Sequence, residues 1–225
     1  MPRPHDPLRQ LTAKTLCVAT DELADRDSDL GAIVDQFGPP PLWARRPGFA
    51  TLLRIILEQQ VSLASARTMF ERLRLTLGTV TPAAVSSLDV SGLRALGFTR
   101  QKASYCHGLA EKICNGRLDL GAIGRMTDDG GVRKLMEVRG LGPWSVDIYF
   151  LIALRRPDVW PRGDVALATA VHHVKRLRTR PDDVRLTRIA KRWMPWRSVA
   201  ARILWHHYLS TRMKRKRPPN QPLPS

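Results

Sequence analysis

Leu135-Met-Glu-Val-Arg-Gly-Leu-Gly-Pro-Trp-Ser145 is the stretch from which the rest of the chain can be read. A helical segment over 128–137 runs into Val138-Arg-Gly-Leu-Gly142, and Pro143 then opens a second helix. Proline suits a first helical position because its φ is fixed and its missing N–H has no helical partner there. The two glycines, Gly140 and Gly142, permit positive φ and let a foreign backbone come close. The turn therefore predicts a helix N-terminus with exposed amides and a favourable dipole, which suits a phosphate. Arg139 and Lys134 add positive charge nearby. On Gly-x-Gly alone, a tight helix–helix turn without a ligand is the commoner outcome. Twenty-two positions after Gly142 stands Asp164, a carboxylate just before Val165-Ala-Leu.

The charge balance agrees with a phosphate ligand. Among 225 residues, 37 Lys and Arg oppose 20 Asp and Glu, a formal net charge of +17. Such an excess predicts affinity for a polyanion through counterion release, nucleic acid being the commonest. A membrane surface fits less well, because no apolar run approaches a bilayer span and no basic amphipathic anchor stands out. At 43% hydrophobic residues the chain can bury a substantial core in one compact body built as two lobes. Three cysteines without Cys-x-x-Cys spacing suggest a reducing, cytoplasmic compartment; Cys106 and Cys114 fall in a helical pattern and read as small buried thiols. The start, Met-Pro-Arg-Pro-His-Asp-Pro7, lacks the apolar core of a signal peptide.

Helical periodicity dominates. Phe49, Leu52, Leu53, Ile56 and Leu57 share one helix face, and Leu63, Ala66, Phe70, Leu73 and Leu77 form a second stripe that Gly78 ends. Cys106, Leu109, Ala110 and Ile113 mark a third helix, Leu167, Ala170, Val171, Val174 and Leu177 a fourth. A last helix starts near Trp196-Arg-Ser198 and runs through Ile203, Leu204 and His207. Segments 22–36, 83–95, 128–137 and 185–193 read as shorter helices. The expected fold class is all-α, with about ten helices and short turns. Residues 1–20 are expected to be a flexible segment, 21–212 the folded domain with its hairpin at 128–153, and 213–225 a basic disordered tail.

The hairpin and the segment Asp158-Val-Trp-Pro-Arg-Gly-Asp164 together resemble the helix–hairpin–helix (HhH-GPD) DNA glycosylase superfamily. Within it the chain resembles the AlkA-type DNA-3-methyladenine glycosylases (type II), in the short form without an N-terminal α/β domain. Pro41-Leu-Trp-Ala-Arg-Arg-Pro-Gly-Phe49, Ile55-Ile-Leu-Glu-Gln-Gln-Val-Ser-Leu-Ala64, Leu96-Gly-Phe-Thr-Arg-Gln-Lys-Ala103 and Arg192-Trp-Met-Pro-Trp-Arg-Ser198 extend the resemblance. It implies two helical lobes flanking a cleft, with a helix–hairpin–helix DNA-binding motif. It also implies cleavage of the N-glycosidic bond of alkylated bases flipped out of duplex DNA, as the first step of base-excision repair.

Departures from the family pattern narrow the subclass. Bifunctional members carry a Schiff-base lysine just after the hairpin turn, where this chain has Trp144, so lyase activity is not expected. A 4Fe–4S cluster would need four cysteines near the C-terminus, and none follows Cys114. Glu58 stands where the family often has Gly, and a carboxylate close to DNA is mildly unfavourable.

The chemistry asks for a single acid. An alkylated purine already carries positive charge, so its departure needs little protonation, and cationic charge builds up on the sugar. One carboxylate can stabilise that cation and orient or deprotonate a water. The family's catalytic acid aligns with Asp164, although alone that aspartate reads as a helix N-cap. Asp147 and Asp158 read as caps or surface charges. Trp144 and Trp205 match the family's pocket tryptophans, with Ile148 as an apolar wall and His206 where relatives can have Tyr. Trp43, Trp193 and Trp196 read as core. Gln60 matches the wedge position, with a helix cap as its equal alternative. Gly140, Leu141, Gly142, Arg139, Arg100 and Lys102 are the remaining DNA-contact candidates, with solvated surface charge an equal alternative for Arg100 and Lys102. The resemblance also implies a sodium or potassium ion on the backbone carbonyls of Met136, Val138 and Leu141, with no cofactor for catalysis. The expected partner is double-stranded DNA containing damaged bases, met by a monomer in the cytoplasm at the nucleoid. A non-catalytic DNA-binding module and a bifunctional glycosylase-lyase stay open as alternatives.

Overall fold

The computed structural model describes residues 10–216. Among these the backbone forms thirteen α-helices, one π-helical turn and one 3-10 turn, with no strand, so the all-α class holds. The described chain divides into two compact units, residues 10–43 with 156–216, and residues 44–155. In the first, α1 (Ala13–Arg26) and α2 (Ser28–Phe37) lead out of the N-terminal segment. The second holds α3 (Phe49–Glu58), α4 (Leu63–Leu77), α5 (Pro82–Ser86), α6 (Val90–Ala95), α7 (Arg100–Cys114), α8 (Leu120–Arg125), α9 (Asp128–Met136) and α10 (Pro143–Ile148). A π-helical turn, Tyr149–Ala153, continues α10. The chain then returns to the first unit for α11 (Val165–Val174), α12 (Asp183–Ala190) and α13 (Arg197–Lys216).

In the second unit α3 packs on α4, α7, α10 and the π-helical turn. Its predicted stripe is buried throughout, and Ile55 with it, because neighbours surround the helix. Each such Leu or Ile contributes roughly 2 kcal/mol of burial free energy. In the first unit Val199, Ile203 and Leu204 of α13 are buried on a helix that packs against α1, α2 and α11. Trp193 and Trp196 are core, as read, and each spends its indole N–H on a carboxylate, Asp27 and Glu22 respectively, at 2.8 Å.

Several boundaries differ from the sequence reading. Helix α1 begins at Ala13, inside the segment taken as flexible, because Thr12 and Thr15 form a reciprocal capping box. The predicted 22–36 segment is broken at Asp27, whose amide closes α1 on Leu23 while its carboxylate caps α2. The 83–95 segment breaks likewise where Asp89 caps α6. Helix α8 was not foreseen. Leu63 is 66% exposed, so the second stripe covers only part of α4. Cys106 is buried, which pushes its thiol up to about 12, but Cys114 is exposed. Helix α13 extends through Lys216, into the stretch read as a tail; the rest of that tail and the first nine residues lie outside the described residues. No described helix is long and apolar enough to cross a membrane.

Candidate functional site

From α1 to α12, every N-cap side chain accepts a backbone N–H except at α3 and α10, where the caps are Gly48 and Gly142. Helix α10 follows the predicted hairpin. Gly140 has φ +95°, and a Cβ there would lie 2.4 Å from Tyr105 Cγ, so both backbone and packing require glycine. Gly142 is different. Its φ is −87°, an extended conformation open to any residue, and a Cβ there would meet nothing within 4 Å. The second glycine thus supplies open space in front of α10, not positive φ.

The amides of the turn divide in the same way. Leu141 N–H donates to the Val138 carbonyl at 3.0 Å and its side chain is buried, so its amide is engaged within the turn. Among the described residues, no hydrogen bond uses the amides of Gly140 or Gly142. Arg139 is exposed beside the Tyr105 ring, 5.9 Å from its centroid. Lys134 pairs with Glu137 at 2.7 Å, so its charge is offset locally.

The turn between α3 and α4 lies in the same unit. Gln60 is exposed and has φ +56°, a strained conformation for a non-glycine residue, at the point predicted to be a wedge. Gln59, passed over in the sequence, has the tertiary contacts. Its Nε2 donates to the Gly140 carbonyl and to Ser145 Oγ, both at 2.8 Å. The only sequence signal was a second glutamine beside a candidate. Glu58 forms a bidentate pair with Arg45, at 2.7 and 3.1 Å, which neutralises the unexpected carboxylate. Arg100 is exposed at the start of α7. Lys102, the other candidate on α7, is turned inward. It is buried, its Nζ donates to the Leu57 carbonyl at 2.6 Å, and burial holds its pKa below the ordinary lysine value. Ile148 is likewise buried, 3% exposed, while Trp144 is half-buried.

In the first unit Asp164 is the N-cap of α11. The carboxylate is 8% exposed, and its Oδ1 accepts from Leu167 N–H at 2.8 Å and from the Trp205 indole N–H at 3.3 Å. The cap predicted as the bland alternative therefore exists, and the same geometry fixes the carboxylate as a reacting group requires. Trp205 presents an N–H to that acid as well as a ring. His206 packs against Phe37 and Trp43, with ring centroids 6.2 and 6.4 Å away. Of the other acids, Asp158 caps α13 and chelates Arg197, whereas Asp147 is buried, not a surface charge.

Comparison with known proteins accounts for this arrangement. A family model described as HhH-GPD superfamily base excision DNA repair protein matches residues 53–196. The Bacillus subtilis protein YfjP, provisionally named a DNA-3-methyladenine glycosylase, is 29% identical over 186 residues, 79% of this chain. The chain spans 65% of that relative's length. Schizosaccharomyces pombe DNA-3-methyladenine glycosylase 1 is 23% identical over 77% of this chain and 78% of its own. The fold is that of Schizosaccharomyces pombe 3-methyladenine DNA glycosylase (Mag1), solved in complex with abasic DNA: the TM-score is 0.73 at 22% identity, over 85% of this chain and 95% of that one. The family match spans well over half of the chain and includes both the glycine hairpin and Asp164, so the chain belongs to the HhH-GPD superfamily of base-excision DNA repair proteins.

Proposed function

We propose that this chain is a monofunctional DNA glycosylase that hydrolyses the N-glycosidic bond of alkylated bases, of the 3-methyladenine type, in duplex DNA. The observation that carries the reading is the buried Asp164 carboxylate, fixed by Leu167 N–H and the Trp205 indole within a chain of this family. Relatives named as 3-methyladenine glycosylases support the substrate class.

The hairpin takes the DNA backbone. The free amides of Gly140 and Gly142, the open approach to α10 and the exposed Arg139 suit one phosphate. Gln60 enters the duplex as the target nucleotide leaves the stack. The electron-poor base lies against the indole face of Trp205, beside Asp164 in the same unit, which attracts a cationic ring. As the C1′–N bond breaks, its electron pair goes to the base, which departs neutral, and the sugar becomes an oxocarbenium ion. Asp164 stabilises that cation, orients a water toward C1′ and takes the water's proton as the new C–O bond forms. The products are a free base and an abasic site.

No backbone hydrogen bond of the turn uses the carbonyls of Met136 or Leu141, and the Val138 carbonyl receives only the Leu141 amide, so these three oxygens fit a sodium or potassium ion. Such an ion would add positive charge beside the phosphate; the reaction needs no other group. The protein acts as a monomer on double-stranded DNA in the cytoplasm, at the nucleoid.

The test is release of free base from duplexes that each carry one defined lesion, with 3-methyladenine first, followed by borohydride trapping on abasic DNA. Base release without a covalent adduct is expected. A trapped adduct would turn the reading to a glycosylase-lyase, and binding without release would turn it to a DNA-binding module.

A further inference from the structure

Three successive residues at the end of α3 are each tied down by a different tertiary contact. The Leu57 carbonyl accepts from buried Lys102 Nζ, the Glu58 carboxylate is chelated by Arg45, and the Gln59 amide reaches Gly140 and Ser145. The next residue, Gln60, has left-handed φ and is exposed. A strained residue persists only where its surroundings over-determine it, and here they do so on the side toward α3. The Gln59 contacts are distinctive in what they join. Gly140 is the apex of the hairpin, itself pinned by Tyr105, and Ser145 lies in the first turn of α10, 2% exposed.

We propose that Gln59 is a positioning residue that links the intruding turn at Gln60 to the apex of the phosphate-binding hairpin, so that backbone capture and strand intrusion work as one rigid element. The proposal rests on the wedge reading of Gln60. An amide NH2 has two donors, and Gln59 spends one on a carbonyl and the other on a hydroxyl, so neither bond is made at the other's expense. A glutamate of the same shape would set a carboxylate against the Gly140 carbonyl oxygen, and a methionine would leave that carbonyl without its donor. When the hairpin closes on a phosphate, the push of Gln60 into the stack reacts against the hairpin through this amide, not against a free loop. Arg45 and Lys102 hold the base of the turn in place, and Gln59 sets its distance from the captured strand.

The test is single-turnover base release by Gln59→Met, Gln60→Ala and the double variant. Two duplexes are used, one with the lesion in a fully paired duplex and one with the lesion mispaired, where extrusion costs less. On paired DNA, Gln59→Met should slow release about tenfold, the loss of one or two buried hydrogen bonds being of that order. On mispaired DNA the loss should shrink to about twofold, since less unpairing remains to be driven. The double variant should be no slower than Gln60→Ala, because Gln59 acts through Gln60. Equal slowing on both duplexes, or slowing in the double variant equal to the product of the single effects, would overturn the proposal. If Gln59→Met fails to fold, Ser145→Ala, which removes one of the two partners, should give a weaker slowing with the same preference for paired DNA. Should Gln60→Ala release base from paired DNA as fast as the wild type, the wedge reading fails and the proposal with it. If Gln60→Ala is slow but Gln59→Met is not, only the proposal fails.

Discussion

Helices α10 and α11 both begin at candidate site residues, and they begin in opposite ways. Helix α11 starts on Asp164, which supplies its own carboxylate to the Leu167 amide. Helix α10 starts on Gly142, which supplies nothing and leaves open space. One helix start carries a built-in anion and the other leaves room for one. A helix N-terminus is worth about 0.5 of a positive charge to whatever sits there. At α11, on the proposed mechanism, the acid that caps the helix is the one that opposes a sugar cation. In α10, on the proposed reading, that partial charge is kept for the phosphate of a ligand.

The two glycines of the hairpin offer the strongest way to break this contrast. Gly140→Ala puts a methyl group into the Tyr105 ring at a positive φ, so it should cost about 3 kcal/mol of stability, read from the urea midpoint. A loss under about 0.5 kcal/mol would mean that the apex is not pinned. Gly142→Asp converts the start of α10 into a copy of the start of α11. Stability should hold or rise slightly, while affinity for undamaged duplex should fall about tenfold or more, because the new carboxylate takes the place and the amides of the phosphate. Unchanged affinity, measured at fixed salt, would remove the hairpin from DNA binding.

A smaller effect concerns pH, and it belongs to the first unit. Burial, with His173 nearby, lowers the pKa of His207 below its ordinary 6.5. A group whose charged form is disfavoured in the fold costs stability once it must charge, so stability is full above pH 6.5 and declines as pH falls through that value. At Asp27 burial acts to raise the pKa, but hydrogen bonds from Lys175 and Trp193 outweigh it and hold the carboxyl below 3.8. Its contribution is present above pH 3.8 and is lost as pH drops through the folded value. His207→Gln should flatten the first decline and leave the second. If the decline below pH 6.5 survives that change, another group is responsible.

How far the sequence could be read follows from the kind of signal involved. The α3 stripe, the hairpin and the Asp164 cap announce themselves through local spacing, because period, proline position and capping chemistry are encoded within a few residues, whereas a reactive role for Asp164 is implied only by the family resemblance. Gln59 and Lys102 could not be read that way. Their partners lie 81 and 45 residues away, so an interior lysine looks like a surface charge and a bridging glutamine like a bystander. Gly142 shows a subtler failure: two glycines in one turn invite one explanation, yet the first answers to backbone strain and the second to open space. The 22–36 segment reads as one helix because an aspartate within a periodic run looks like any polar surface position. Only its partners Lys175 and Trp193, far along the chain, mark Asp27 as a junction.

The sharpest single test is base release by Asp164→Asn. Asparagine keeps an oxygen that can accept from Leu167 and Trp205, so α11 stays capped and the fold is retained, while the negative charge is lost. Single-turnover release of an alkylated base should fall by at least about a thousandfold, with affinity for the same duplex equal or tighter. Release within about threefold of the wild type, from a folded variant that binds DNA normally, would contradict the role given to this carboxylate.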